Sequence, residues 1–212
     1  MPLQATRPLT YLITSGETTA DTAPTSSDFS NILQLVAAAA NAGIDLFQIR
    51  EKRLKTRVLF ELVSRAAVIC GNSSMKLLVN DRADVAVAAG ANGVHLTAQS
   101  LGADVVREGF GTDLLIGVST HSEADIRRAR ASGADFVLFG PIYDTGDKAG
   151  VGVGALCSAV NASADLPVIA LGGITIERVA ECLATGASGV AAIRMFSDAG
   201  KLKGVVTSIR QY

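Results

Sequence analysis

Residues 76–97 read KLLVNDRADVAVAAGANGVHLT. An apolar run, KLLVN (76–80), stops on Asn80, Asp81 and Arg82; an alanine-rich stretch follows, glycine breaks it, and a second run, GVHLT (93–97), begins. Apolar runs without alternation suit strands covered on both faces, and the stretch between them suits the crossover helix that parallel strands require. Outward from this unit the pattern repeats. LTYLIT (9–14), DLFQIR (45–50), LLIGVST (114–120), DFVLFGPI (135–142), PVIALG (167–172) and GVAAIRM (189–195) complete eight candidate strands. The helical patterns NILQLVAAAANAG, RVLFELVSRAAVICG, EADIRRARASGA and IERVAECLATGA each end on Gly or Gly-Ala, a helix stop placed before the next strand.

Eight β-then-α units in 212 residues predict an α/β chain folded as one (β/α)8 TIM barrel over residues 1–212. An open doubly wound sheet would want a glycine-rich turn after its first strand, whereas the residues after Thr14 read SGETTADTAPTSSD. That Ser/Thr-rich stretch, at 15–28, is expected to form a long mobile first loop.

With 49% hydrophobic and 18% charged residues the chain can bury a sizeable core. A net charge of -1 gives no general attraction for nucleic acid or an anionic membrane, so an anionic small molecule must be held by local cations. Cys70, Cys157 and Cys182 are odd in number and set among apolar residues, which reads as reduced core thiols. MPLQATRPLTYLITSG has neither the apolar core nor the cleavage site of a secretory signal, and no long apolar span follows; a cytoplasmic location is expected. Small barrels tend to pair, so a homodimer is expected.

Barrels of this kind carry their sites at the C-terminal ends of the strands. Sorted on that rule, Gln48, Arg50, Glu51 and Lys52 follow strand two, Asn80, Asp81 and Arg82 strand three, and Ser119, Thr120 and His121 strand five. Thr145, Asp147 and Lys148 belong to the loop after strand six, Gly172 and Gly173 end strand seven, and Arg194 ends strand eight. The glycine pair reads as a phosphate site, because bare glycines let an anion approach backbone N–H groups; an ordinary strand-to-helix turn is the competing reading. Arg50, Lys52 and Lys148 form a cradle for a more highly charged group such as a diphosphate, whereas a surface ion pair is the plain alternative for Arg50 and Glu51. Asp81 beside Asn80 suits Mg2+ or, as its competitor, a helix cap. His95 reads as a hydrogen-bonded barrel-core residue and His121 as the acid/base candidate.

QIREK (48–52), LLVNDRADVAVAAGANGVHL (77–96), GVSTHS (117–122), GADFVLFGPIYDT (133–145), PVIALGGIT (167–175) and GASGV (186–190) resemble, in order, the signatures of the thiamine phosphate synthase/TenI family. The resemblance implies a barrel that works in thiamine biosynthesis on a thiazole phosphate and, in the synthase branch, on an aminopyrimidine diphosphate. It would set Gln48, Arg50, Lys52, Asn80 and Lys148 on the pyrimidine diphosphate and Asp81 on Mg2+. Ser119 and Thr145 would lie against the departing diphosphate, and Gly172, Gly173, Ile193 and Arg194 around the thiazole phosphate.

Three departures from the synthase pattern weigh on that assignment. Ser100 stands where a second magnesium-binding carboxylate is expected, DTGDK puts Asp144 and Asp147 in place of a proline and a hydroxyl, and Arg194 is bulkier than the usual small residue. Because a hydroxyl is a weak substitute for a carboxylate on Mg2+, the resemblance narrowly favours the TenI-like thiazole tautomerase, with His121 as acid/base and no cofactor. The alternatives are the Mg2+-dependent synthase, in which Asp144 or Asp147 helps hold the metal, and a non-catalytic binder of phosphorylated ligands.

Overall fold

The computed structural model describes residues 7–146 and 148–212. Eight parallel strands alternate with eight helices. The strands are β1 (Leu9–Ile13), β2 (Leu46–Ile49), β3 (Lys76–Asn80), β4 (Gly93–Leu96), β5 (Leu115–Thr120), β6 (Phe136–Phe139), β7 (Val168–Leu171) and β8 (Gly189–Ala192). The helices are α1 (Ser27–Ala42), α2 (Thr56–Cys70), α3 (Ala83–Ala88), α4 (Ala103–Phe110), α5 (Glu123–Ala131), α6 (Gly152–Ser163), α7 (Val179–Ala184) and α8 (Leu202–Ile209). The sheet closes, β8 pairing with β1 in the register Leu9↔Gly189 to Leu12↔Ala192. That pairing excludes the open sheet.

Both faces of the strands are covered, which is why the runs do not alternate. Leu12, Phe47, Leu77, Val79, Val94, Ile116 and Val137 pack outward in one continuous core that includes the helices. Leu9, Tyr11, Ile13, Leu46, Leu78, Phe136, Leu138, Ile169 and Ala191 fill the barrel interior. Burial of this order, at about 25 cal/mol per Å² of apolar surface, is the main force holding the layers together. No helix among the described residues is long and apolar enough to cross a membrane.

Details depart from the sequence reading where geometry adds a constraint. The first helix begins at Ser27, inside the stretch read as loop, because Asp28 accepts hydrogen bonds from Thr22 Oγ1 and the Phe29 N–H and so joins the loop to the first helical turn. Gly43 ends α1 in the left-handed conformation, but Gly71 after α2 keeps a right-handed φ of -56°, so it is not a stop of that type. Cys70 and Cys182 are buried, whereas Cys157 is exposed on α6 and is not a core thiol.

At the end opposite the strand C-termini, carboxylates tie neighbouring strands. Asp45 accepts from the Thr10 N–H at 2.9 Å and from Thr10 Oγ1 at 2.8 Å, and pairs with Arg7. Asp135 accepts from the Ile116 N–H at 2.7 Å and pairs with Arg107, which also donates to the Thr112 and Leu114 carbonyls. Removing such a shared acceptor strands a backbone donor and a guanidinium. Asp135→Ala is expected to cost about 1–3 kcal/mol by urea unfolding, while Asp165→Ala, which breaks the exposed pair with Arg130, leaves the midpoint unchanged.

Candidate functional site

The mouth of the barrel is built on an apolar floor crossed by one polar chain. Gln48 on β2 points inward and its Nε2 donates to the Tyr11 hydroxyl at 2.7 Å. Tyr11 lies 3.4 Å from His95 Nδ1, and His95 Nε2 lies 2.9 Å from Ser119 Oγ on β5. Burial, with the charge of Arg50 nearby, pushes the His95 imidazole down to about 3, so it is neutral at physiological pH. Asn80 ends β3 directly beside His95 in the sheet register.

The next residue, Asp81, has a φ of +62°, unusual for a side-chain-bearing residue. Its N–H donates to the His95 carbonyl at 2.9 Å, and its exposed side chain makes no hydrogen bond or ion pair with the described residues. The helix that follows is preceded by Arg82 and takes no side-chain cap, so capping does not account for Asp81. Arg82 itself pairs with Asp84 and donates to Thr56. A left-handed carboxylate held at a rim is a pattern of functional sites.

Arg50 and Glu51 do not form the surface pair that was the alternative for them. Glu51 is buried and gathers the first loop: it accepts from the Gly16 N–H, the Thr18 N–H and Thr18 Oγ1, the last at 2.6 Å. With Glu51 so engaged, the half-buried Arg50 has no carboxylate partner among the described residues; its N–H donates to Thr14 Oγ1. Lys52 and Lys148 are exposed and likewise without an ion-pair partner among those residues. Lys148 and Thr145 exchange backbone hydrogen bonds of 3.0 and 2.9 Å across a tight turn. Asp144 is committed within this loop, accepting from the Gly150 N–H at 2.7 Å, and Asp147 lies outside the described residues.

Thr145, Gly172, Gly173, Ile193 and Arg194 come together around a cleft of about 780 Å³ between β7 and β8. The glycines are demanded first by packing. Their φ values are +105° and +64°, and a Cβ would sit 2.5 Å from Pro141 Cα at Gly172 and 2.7 Å from Tyr143 Cβ at Gly173. Tyr143 donates its N–H to the Gly172 carbonyl, and Arg178 stacks on the Tyr143 ring at 4.3 Å while donating to the Gly173 carbonyl at 2.8 Å. The loops after β6 and β7 are therefore one clamped unit.

His121 is not part of that cleft. Its Nδ1 donates to the Gly140 carbonyl, its N–H to Asp125, and it lines a smaller recess with Ser119 and Ser100. The Ser100 hydroxyl is held in a local turn, 2.8 Å from the Thr97 N–H. Sequence reasoning did not single out Tyr11, Tyr143 or Arg178. For Tyr11 the available signal was a polar-tipped aromatic at the inward position of LTYLIT; for the clamp no local signal existed.

An interior-filled barrel whose strand ends carry a two-glycine cleft and cations without an ion-pair partner among the described residues defines a (β/α)8 protein with its polar groups gathered at the strand C-termini. Residues 12–196 match the family model described as thiamine monophosphate synthase, and the chain belongs to that family. It is 41% identical over 179 residues to a thiamine-phosphate synthase of Methanoculleus marisnigri, covering 83% of this chain and 85% of that one. It is 35% identical to a thiamine-phosphate synthase of Chlorobium phaeobacteroides, covering 88% and 92%. A solved thiamine phosphate pyrophosphorylase from Pyrococcus furiosus superposes with a TM-score of 0.79 at 27% identity, covering 95% and 96% of the two chains.

Two outcomes test this geometry. His95 binds its proton near pH 6.5 when unfolded and only near 3 when folded, so its contribution to stability is complete above about 6.5 and is lost as pH falls through that window. Urea midpoints measured from neutral pH downward should fall less steeply in His95→Gln than in the parent. Glu51→Ala should raise amide hydrogen exchange at Gly16 and Thr18, read by mass spectrometry, with the β-strands unchanged.

Proposed function

We propose that the protein is a thiamine phosphate synthase, joining an aminopyrimidine diphosphate to a thiazole phosphate and releasing diphosphate. The observation that carries the reading is the set of cations at the mouth, Arg50, Lys52 and Lys148, none of which has an ion-pair partner among the described residues. Close relatives bearing the synthase name support it and reverse the narrow preference for the tautomerase branch.

In this reading the C–O bond between the pyrimidine methylene and the diphosphate breaks, and the electron pair leaves with the diphosphate. The thiazole nitrogen lone pair then forms the new C–N bond to the methylene carbon. No proton is transferred, so the chemistry needs charge stabilisation at the leaving group and alignment of the two halves. Arg50, Lys52 and Lys148 hold the diphosphate, Gln48 and Asn80 orient the pyrimidine, and Ser119 and Thr145 donate to the departing oxygens. Gly172, Gly173, Ile193 and Arg194 frame the thiazole phosphate.

The residues present fit Mg2+ in a limited way. Among the described residues no three His, Cys, Asp or Glu side chains converge, but the carboxylate of Asp81 stands at the rim without a protein partner there. One carboxylate plus substrate phosphate oxygens and water is an ordinary Mg2+ environment. When bound, the ion would add positive charge at the leaving diphosphate. Asp144, engaged with Gly150, is not a second ligand, and the Ser100 hydroxyl is engaged with Thr97.

A tautomerase remains the second reading because His121 holds Nδ1 on the Gly140 carbonyl and so offers Nε2 as a base. Incubation with aminopyrimidine diphosphate, thiazole phosphate and Mg2+ should yield thiamine phosphate. Lys148→Ala should lower kcat about 10²–10³-fold and Asp81→Asn should weaken the response to Mg2+, while His121→Ala retains turnover. Failure to form product, with isomerisation of a thiazole carboxylate phosphate that His121→Ala abolishes, would establish the second reading instead.

A further inference from the structure

The polar chain through the barrel has a direction. Gln48 Nε2 donates to the Tyr11 oxygen, so the Tyr11 proton is left to point at His95 Nδ1, the other polar atom within reach. Burial pushes the Tyr11 hydroxyl above its usual range, which keeps that proton on the ring oxygen. A neutral imidazole carries one N–H, and with Nδ1 accepting it must be Nε2–H, which donates to Ser119 Oγ at 2.9 Å. The half-buried Ser119 hydroxyl makes no other hydrogen bond among the described residues, so its own proton faces the mouth.

The rings cannot easily turn out of this arrangement. Tyr11, His95 and Phe136 pack against one another with centroids 5.7 to 6.2 Å apart, Tyr11 and Phe136 edge to face. Tyr11 is fully buried and His95 nearly so. Each buried polar atom in the chain satisfies its neighbour, and with Gln48 donating, a His95 that carried its proton on Nδ1 would leave the buried Tyr11 proton without an acceptor among the described residues.

We propose that Tyr11 and His95 are positioning residues that fix the hydrogen-bond polarity of the mouth. The one-way chain from Gln48 obliges Ser119 to meet the ligand as a donor and so to select an anionic, oxygen-rich group. For its ligand this inference rests on the synthase reading, in which that group is the departing diphosphate. A donor preset toward oxygens that gain charge as the C–O bond breaks helps the reaction more than it helps substrate binding.

Two measurements decide it. The chain contains two histidines, so 15N-imidazole NMR resolves both. His95 should carry its proton on Nε2 at neutral pH; a His95 protonated on Nδ1, or on both nitrogens, overturns the proposal. The second is steady-state kinetics of Tyr11→Phe, Ser119→Ala, the double variant, His95→Gln and His95→Leu, each first checked for cooperative thermal unfolding.

Tyr11→Phe should lower kcat about fivefold to tenfold, the worth of one hydrogen bond, with the KM for thiazole phosphate unchanged. In the Ser119→Ala background it should add nothing, because Tyr11 acts through Ser119. Glutamine at 95 supplies a donor and an acceptor in one side chain and should retain more activity than leucine. Multiplicative effects of Tyr11→Phe and Ser119→Ala, or equal activity of the two His95 variants, would refute a positioning role. If the parent forms no thiamine phosphate, it is the synthase reading that fails; the same variants are then compared by calorimetric binding of inorganic diphosphate, where the same non-additivity is required.

Discussion

The pairing of β8 with β1 is the constraint on which everything else in the molecule depends. Once Leu9–Leu12 lies in register with Gly189–Ala192, no strand edge is left open and the eight C-terminal ends form one rim. Closure also makes the interior narrow. A barrel of eight strands has room only for its own side chains, so any polar group placed inside must be satisfied by another such group. Tyr11, Gln48, His95 and Ser119 meet that demand among themselves, from four different strands.

Above that floor, the same logic separates residues that hold the site from residues left available to a ligand. Glu51 spends its charge on the first loop, Asp144 on the turn after β6, and Arg178 on Tyr143 and the Gly173 carbonyl. Glu51 and Asp144 are thus occupied by the protein, while among the described residues the carboxylate of Asp81 and the cations Arg50, Lys52 and Lys148 have no such partner. Cations gathered along one concave rim raise the local potential felt by an anion. The strain visible in the φ of Asp81 belongs to the same economy of positions, since an ordinary β conformation would aim that carboxylate elsewhere.

Much of this was legible in the chain. All eight strands lie within the apolar runs, because a strand buried on both faces must be apolar throughout, and that requirement is local. The rim residues were legible from the barrel rule that polar groups at strand C-termini face the mouth. What the residues could not display was competition among them. Glu51 looked like a surface acid until Thr18 was folded against it, Cys157 looked buried because its neighbours in sequence are apolar, and nothing near Gly172 and Gly173 in sequence showed that Pro141 and Tyr143 press on them. The names of the relatives favour the synthase branch, whereas the residue pattern, with Ser100 where a second carboxylate was expected, pointed the other way.

By itself, then, the sequence determined the strand and helix order, the barrel and which residues reach the rim, which follow from short-range periodicity and spacing, and its motifs carried the resemblance to the family. Only the tertiary structure decided which rim residues find partners among the described residues, that His121 and the two-glycine cleft lie in different recesses, and that the hydrogen bonds through Tyr11 and His95 run one way. The physical reason is that partnership depends on closure. Gln48 and Tyr11 are 37 residues apart, and Tyr11 and His95 are 84 apart, so no local pattern brings them within hydrogen-bonding distance.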